Sequence, residues 1–323
     1  MTKEPRAKLP HNPRIVFMGT PDFSVPSLQD LLNEGYDVVA VVTQPDRPKG
    51  RGRKVLPSSV KQAAMERDIR VLQPQKAWDR SFLDQIGRLD PDLLVVVAFG
   101  QILKKELLTK ARYGGLNIHA SLLPKYRGPA PIHWAILKNE TGTGLTAMRM
   151  DVGLDTGPIL LQEEVPIHQE ETAGQLHDRL ARISGAFLVK TLRGLAEGSL
   201  EEIPQDEEKA TYAPKIDRSM SLIDWDKPAR DISSLIRALD PWPGAYTTFK
   251  GKKIKLFSSK VKTGQMGNPV PGRISGHGEG GLEVETSNGL IQIREMQVLG
   301  KRRLRARNFL TGFPLEKGLI LGR

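Results

Sequence analysis

One segment, Asp92-Leu93-Leu94-Val95-Val96-Val97-Ala98-Phe99-Gly100, constrains the fold more than any other. It is an almost unbroken apolar run ended by glycine, which suits a strand covered on both faces in a parallel sheet. A second short strand ends at Leu116-Asn117-Ile118-His119, just before a Pro- and Gly-rich stretch, residues 120–131. Side chains alternate across a strand, so Asn117 and His119 share one face, roughly 7 Å apart along it. An amide and an imidazole therefore emerge together where a buried strand gives way to a loop. Open α/β sheets bind their ligands at such strand ends.

The pattern on either side repeats strand and helix. Residues 14–19 predict a first buried strand that turns at Gly19-Thr20-Pro21-Asp22-Phe23 into a helix, with Thr20 as its cap and Pro21 in its first turn. A strand over 37–43, helices near 58–67 and 79–88, short strand 70–72 and the 93–98 strand follow, then a helix over 131–138. Residues 144–151 and 159–165 read as a hairpin around Asp151-Val152-Gly153-Leu154-Asp155-Thr156-Gly157-Pro158, and 172–197 as a long amphipathic helix. This alternation predicts a Rossmann-like, doubly wound, mostly parallel sheet over residues 14–200, behind a short polar extension, 1–13. A lone glycine after the first strand is not the G-x-G-x-x-G fingerprint, so a nicotinamide cofactor has no support. Residues 201–217 turn polar and are expected to be a linker or surface crossing. Beyond them, residues 218–323 carry one helix (229–239), a break at Asp240-Pro241-Trp242-Pro243-Gly244, and short strands at 245–249, 253–261, 272–275, 282–286 and 291–298. That pattern predicts a small antiparallel, OB-like β-barrel.

Composition narrows the function. The 323 residues exceed one compact core and fit two domains. No apolar run approaches the ~20 residues that span a bilayer, so no membrane partner is expected. The 1–13 extension lacks the apolar centre of a secretory signal. Zero cysteines exclude disulfides, thiolate catalysis and Cys-ligated metals, and fit a reducing cytoplasm. The net charge of +11 is uneven: residues 1–217 hold 29 Lys and Arg against 28 Asp and Glu, whereas residues 218–323 hold 19 against 9. A basic last third invites a polyanionic partner. A further run, Gln44-Pro45-Asp46-Arg47-Pro48-Lys49-Gly50-Arg51-Gly52-Arg53-Lys54, reads as a long mobile basic loop able to reach phosphates.

Three side chains stand out as chemistry. His119 supplies an imidazole, the side chain most often used to pass protons. Asn117 offers an amide donor for a developing oxyanion. Asp155, in a Gly-flanked turn, can orient the imidazole and stabilise its charged form. Amide, imidazole and carboxylate without an activated Ser or Cys suit direct acyl transfer between two bound substrates. Other readings stay open at this level. A lone histidine at a strand end is more often structural, Asn117 can cap a turn, and Asp155 can be an Asx-turn residue. His119, Ser121 and Asp155 also imitate a hydrolase triad, though Ser121 lacks the G-x-S-x-G elbow. Two scattered ligands are weak evidence for a metal, and none is expected.

The residues Asn117-Ile118-His119-Ala120-Ser121-Leu122-Leu123-Pro124, with Arg127-Gly128 and 151–157, resemble the formyltetrahydrofolate-dependent formyltransferases. Gly19-Thr20-Pro21-Asp22-Phe23 and the basic run 43–52 resemble the branch whose acceptor is methionyl initiator tRNA, and the similarity extends from about Arg14 to the C-terminus. The resemblance implies transfer of a formyl group from 10-formyltetrahydrofolate to the methionyl α-amine in translation initiation, by a cytoplasmic, bacterial-type monomer. It assigns catalysis to Asn117, His119 and Asp155, folate binding to Ser121, Leu122, Leu123 and Pro124, and tRNA contacts to Arg47, Lys49, Arg51 and Arg53. It also implies that the basic residues 218–323 bind tRNA.

Overall fold

Ile15–Gly19 carries no polar side chain and forms β1, buried throughout. After it come α1 (Val25–Asn33), β2 (Val38–Val42), the short strands β3 (Arg47–Lys49) and β4 (Lys54–Leu56), α2 (Ser59–Met65), β5 (Val71–Leu72) and α3 (Arg80–Leu89). Then follow β6 (Leu93–Val97), α4 (Lys105–Leu108), β7 (Gly115–His119), α5 (Pro131–Leu137), β8 (Gly142–Arg149), β9 (Ile159–Pro166) and α6 (Ala173–Glu197). This computed structural model describes residues 8–49, 54–262, 268–278 and 280–322.

Seven strands form one sheet in the order β5-β2-β1-β6-β7-β8-β9. The pairs β5/β2, β2/β1, β1/β6 and β6/β7 are parallel, and β7/β8 is antiparallel. The chain winds outward from β1 through β2 to β5, then returns to lay β6 on the other side of β1. Such a reversal leaves a crevice beyond the carboxyl ends of the strands. β6 is the apolar run read in the sequence, and all five of its residues are buried. Val16, Met18, Val42, Leu94 and Val96 pack with Phe82, Ile86 and Leu107 in one core cluster. Burial of this kind contributes about 25 cal/mol per Å² of apolar surface.

Local details differ from the sequence reading. Thr20 does not cap a helix: its hydroxyl donates to the Phe99 carbonyl at 2.8 Å, and a 3₁₀ turn at Asp22–Ser24 precedes α1. Expected as a mobile loop, the basic stretch pairs β3 and β4 antiparallel, with Arg47 opposite Leu56 and Lys49 opposite Lys54. A two-stranded ribbon has an outer side that needs no N–H, which accommodates Pro48. Arg51 and Arg53 lie outside the described residues.

The chain forms two compact units. One gathers the described residues of Met1–Pro131, Thr143–Val165 and His177–Ala213; the other takes Ile132–Gly142, Pro166–Leu176 and Pro214–Arg323. In the second, α7 (Ala229–Ala238) precedes β10 (Tyr246–Phe249), β11 (Lys252–Lys262), β12 (Ile274–Gly278), β13 (Gly281–Glu285), β14 (Leu290–Val298), β15 (Leu304–Arg305) and α8 (Ala306–Gly312). Ala229, Ile232 and Ile236 fall at helical spacing and are buried, and α7 packs on β11 and β14.

The antiparallel sheet expected of the second unit is present, but among the described residues its strands close no OB-like barrel. Its strands run β10-β11-β14-β13-β12 with antiparallel pairing, and among the described residues β10 and β12 share no ladder. Pro269 and Pro271, on the approach to β12, have no N–H to donate to one. Instead the terminal segment makes isolated bonds: Ile274 N–H to Leu319 O, Leu321 N–H to Gly272 O and Gly322 N–H to Thr248 O, each 2.8 Å.

Glu285 holds the start of β12 to the end of β13. Only 4% exposed, it accepts from Arg273 Nε at 2.9 Å and from the Val270 N–H at 2.8 Å. Burial pushes its carboxyl upward, but the Arg273 and Val270 bonds outweigh that and hold it below the ordinary glutamate range. A depressed carboxylate stabilises the fold above its unfolded pKa, about 4.3, and the contribution fades as pH falls through the lower native value. Glu285→Gln should therefore cost about 1–3 kcal/mol at pH 7 in urea unfolding and less at pH 3. An equal loss at both pH values would contradict that assignment.

Candidate active site

β7 lies between β6 and β8, and all five of its residues are buried. In the β7/β8 register Asn117 faces Met148 and His119 faces Thr146. Asn117 and His119, on one strand face, are 8% and 7% exposed. His119 Nε2 lies 2.9 Å from the Tyr126 carbonyl oxygen. A carbonyl only accepts, so Nε2 carries hydrogen and Nδ1 is left for chemistry. Nδ1 lies 3.7 Å from Asp155 Oδ2. That separation is too long for a direct hydrogen bond, yet one polar atom can sit about 2.8 Å from both. Among the described residues the fully buried side-chain atoms without a partner are Thr143 Oγ1, Ser221 Oγ and Arg237 Nε, and the amide of Asn117 is not one of them.

Asp155 reaches this position from a tight turn. Its φ of +54° is left-handed, a conformation that Asp and Asn adopt more readily than most side chains. Asp151 supplies the Asx-turn bonds here, accepting from the Gly153 N–H (3.0 Å) and the Thr156 hydroxyl (2.7 Å). Asp155 is therefore free of that duty, and its Oδ2 accepts from the Gly128 N–H at 2.9 Å. Gly128 has φ +116° and lies so near the Ala213 carbonyl that an added Cβ would stand 2.9 Å from it. Only glycine meets both demands.

The Ser121–Pro124 stretch is fixed from β8 and β9. Thr146 donates to the Ser121 carbonyl (2.6 Å) and accepts from the Leu123 N–H (3.1 Å). Gln162 Nε2 donates to the Leu123 carbonyl and to Thr146, both at 2.9 Å. Leu122 and Pro124 are half-buried, and Leu123 is 3% exposed. Fully buried Ser121 donates its hydroxyl to the Lys125 carbonyl at 2.7 Å. With His119 bonded to Tyr126 and Ser121 to Lys125, the residues His119, Ser121 and Asp155 are not joined as a hydrolase triad.

The sequence reading missed a second layer. Arg127, 1% exposed, donates to Gln205 Oε1 (3.1 and 2.9 Å) and to both carboxylate oxygens of Glu207 (2.9 and 2.8 Å). Chiefly the Glu207 bond raises the Arg127 pKa above its ordinary value. Gln205 Nε2 donates to the Asp155 and Gly157 carbonyls at 2.8 and 2.7 Å. Further on, Thr211 and Ala213 bond to Pro124, Tyr126, Arg127 and Ala130. The 201–217 stretch, polar enough to read as a linker, thus braces the loop. Arg127 was visible as part of a motif; nothing in the sequence marked Gln205.

The basic residues sort into paired and unpaired. At the root of the β3/β4 ribbon, Asp46 accepts from Lys61 (2.6 Å) and Gln73 (2.7 Å), and Arg47 donates to Gln44 Oε1 (3.2 Å). Lys49 ends β3. In the second unit, Arg303 is engaged by buried Asp240 at 2.7 and 3.0 Å and by Glu295. Lys301, Arg302, Arg305 and Arg307 are exposed and have no charged partner among the described residues. No group of three or more His, Asp or Glu able to hold a metal occurs among those residues, and no helix there is long and apolar enough to cross a membrane.

A family model described as formyl transferase matches residues 13–192, and one described as formyl transferase, C-terminal domain, matches 215–314. The chain belongs to the formyl transferase family. It is 48% identical over 309 residues to the methionyl-tRNA formyltransferase of Pelotomaculum thermopropionicum, covering 96% of this chain and 98% of that one. It is 49% identical over 308 residues to the methionyl-tRNA formyltransferase of Geobacter metallireducens, covering 95% and 98%. Among solved structures it resembles the N-formyltransferase from Helicobacter canadensis in complex with folinic acid and dTDP-3-aminofucose (TM-score 0.67, 22% identity, 87% and 99% covered). It also resembles HypX from Aquifex aeolicus in complex with tetrahydrofolic acid (TM-score 0.63, 18% identity, 97% and 51% covered). At such identities the structural likeness is one of fold.

Because the Ser121 hydroxyl is bonded to a carbonyl, Ser121→Ala should leave kcat within about threefold and lower stability by about 1 kcal/mol. A kcat loss of about 10³ or more would restore Ser121 as a nucleophile.

Proposed function

We propose that the chain transfers the formyl group of 10-formyltetrahydrofolate to the α-amine of methionyl initiator tRNA. The observation that carries the chemistry is the placing of Asn117 and His119 on one face of β7, with His119 Nδ1 3.7 Å from Asp155 Oδ2. Identities of 48–49% to methionyl-tRNA formyltransferases, spanning nearly the whole chain, support the donor and acceptor. The exposed cations of the second unit and the Arg47–Lys49 strand support an RNA acceptor over a small amine.

An α-amine has a reference pKa of about 7.7, so a useful fraction is unprotonated at neutral pH. It attacks the formyl carbon directly, and no side-chain nucleophile is required. As the C–N bond forms, the carbonyl electron pair moves onto the formyl oxygen. The Asn117 amide and the Nδ1–H of protonated His119 receive that charge. Asp155 stabilises the imidazolium across the 3.7 Å gap. The proton shed by the amine passes by way of Asp155, His119 and water to the folate nitrogen, which leaves as the tetrahedral carbon collapses. Ser121, Leu122, Leu123 and Pro124 line the folate side. Arg47, Lys49, Arg51 and Arg53, with the basic second unit, contact the tRNA.

Formylation of methionyl initiator tRNA, read on acid gels with folate release followed by absorbance, tests the reaction. Asn117→Ala should lose about 10²–10³ in kcat, as removal of one oxyanion donor does. His119→Ala should lose at least as much. Folate release without formylated tRNA would instead point to a hydrolase or a small acceptor. KM for the tRNA should rise steeply between 50 and 200 mM salt, because phosphate neutralisation releases counterions. A flat salt response would rule out the assigned phosphate contacts.

A further inference from the structure

Two loops make the proposed site, and the Gly128 N–H donates to Asp155 Oδ2 between them. The 126–128 loop accepts from His119 through the Tyr126 carbonyl and donates to Asp155 through the Gly128 N–H. The 151–157 turn carries Asp155. Gln205 is bonded to both. Its Oε1 accepts from Arg127, inside the first loop, and its Nε2 donates to the Asp155 and Gly157 carbonyls, inside the second. Each end of one amide thus holds a different loop.

The chemistry of the amide suits this place. Arg127 has only donors to offer and the two carbonyls have only lone pairs, so the tie must accept at one end and donate at the other. A glutamine does both with one planar group. Glutamate at this position would still accept from Arg127 but would set a carboxylate oxygen against two carbonyl oxygens. Arg127 is itself fixed by Glu207, so the amide is oriented from behind.

We infer that Gln205 is a positioning residue for formyl transfer, acting through Asp155. It fixes the turn so that the carboxylate stays beside His119 Nδ1. Small displacements of a catalytic group cost large factors in rate, so a tie two residues removed from any substrate can still set kcat. The inference rests on the catalytic role proposed for Asp155.

A double-mutant cycle on the full chain tests it. Gln205→Glu should lower kcat by about 10–100-fold, with KM for both substrates within about threefold. In an Asp155→Asn background the same substitution should cost less than about threefold, since residues that act through one another are not additive. A merely structural role would cost the same factor in both backgrounds and would overturn the inference. If Gln205→Glu fails to fold, Gln205→Ala enters the same cycle with the same expectation. Arg127→Lys, which removes the two-pronged bond to Gln205, should reproduce the kcat loss. Asp155→Asn alone at wild-type rate would remove the reading on which the inference rests. Asp155→Asn impaired with Gln205→Glu at wild-type rate would remove only the inference.

Discussion

β7 must bury polar side chains without leaving its own backbone unpaired, and the rest of the site answers that constraint. Its N–H and C=O groups are satisfied by a parallel neighbour on one side and an antiparallel one on the other. The side chains of Asn117 and His119 cannot use those bonds. His119 is satisfied at Nε2 by the Tyr126 carbonyl, which fixes its tautomer and turns Nδ1 toward Asp155. Asn117 keeps 8% of its surface exposed on the same strand face. Polar groups in a low-dielectric interior interact more strongly than in water, so burial strengthens the His119 bond to the Tyr126 carbonyl.

The switch from parallel to antiparallel pairing at β7 organises the neighbourhood. Because β8 runs back beside β7, Thr146 stands opposite His119 and can reach the Ser121 and Leu123 backbone. The Asp151–Pro158 turn then brings the chain round, and β9 adds Gln162 to the same stretch. Every side chain assigned to catalysis or folate binding is thereby attached to strand backbone or to a loop bonded at several points. Rigid attachment of this kind is what holding reacting atoms within a fraction of an ångström requires.

Charge is distributed with a division of labour. Arginines that could have met a polyanion are in several cases structural: Arg127 with Glu207 and Gln205, Arg273 with Glu285, Arg303 with Asp240. Net charge therefore overstates the surface available to phosphates. Among the exposed cations, Lys301, Arg302, Arg305 and Arg307 flank the structural Arg303 within one short segment. Composition alone does not separate the two kinds, because the distinction depends on which carboxylates fold against them.

The sequence by itself determined the parallel core, the strand that carries Asn117 and His119, and the turn that carries Asp155. Those features depend on local rules: apolar runs, side-chain alternation and glycine-rich turns. The tertiary structure alone decided that Asp151 rather than Asp155 closes the turn, that Ser121 is engaged by Lys125, and that the described strands of the second sheet close no barrel. It also decided that a polar stretch near Gln205 belongs to the site. A hydrogen bond between residues 78 positions apart, such as that of Arg127 with Gln205, leaves no periodicity for a sequence to display. Its existence depends on where separate elements pack, and packing is a property of the whole fold.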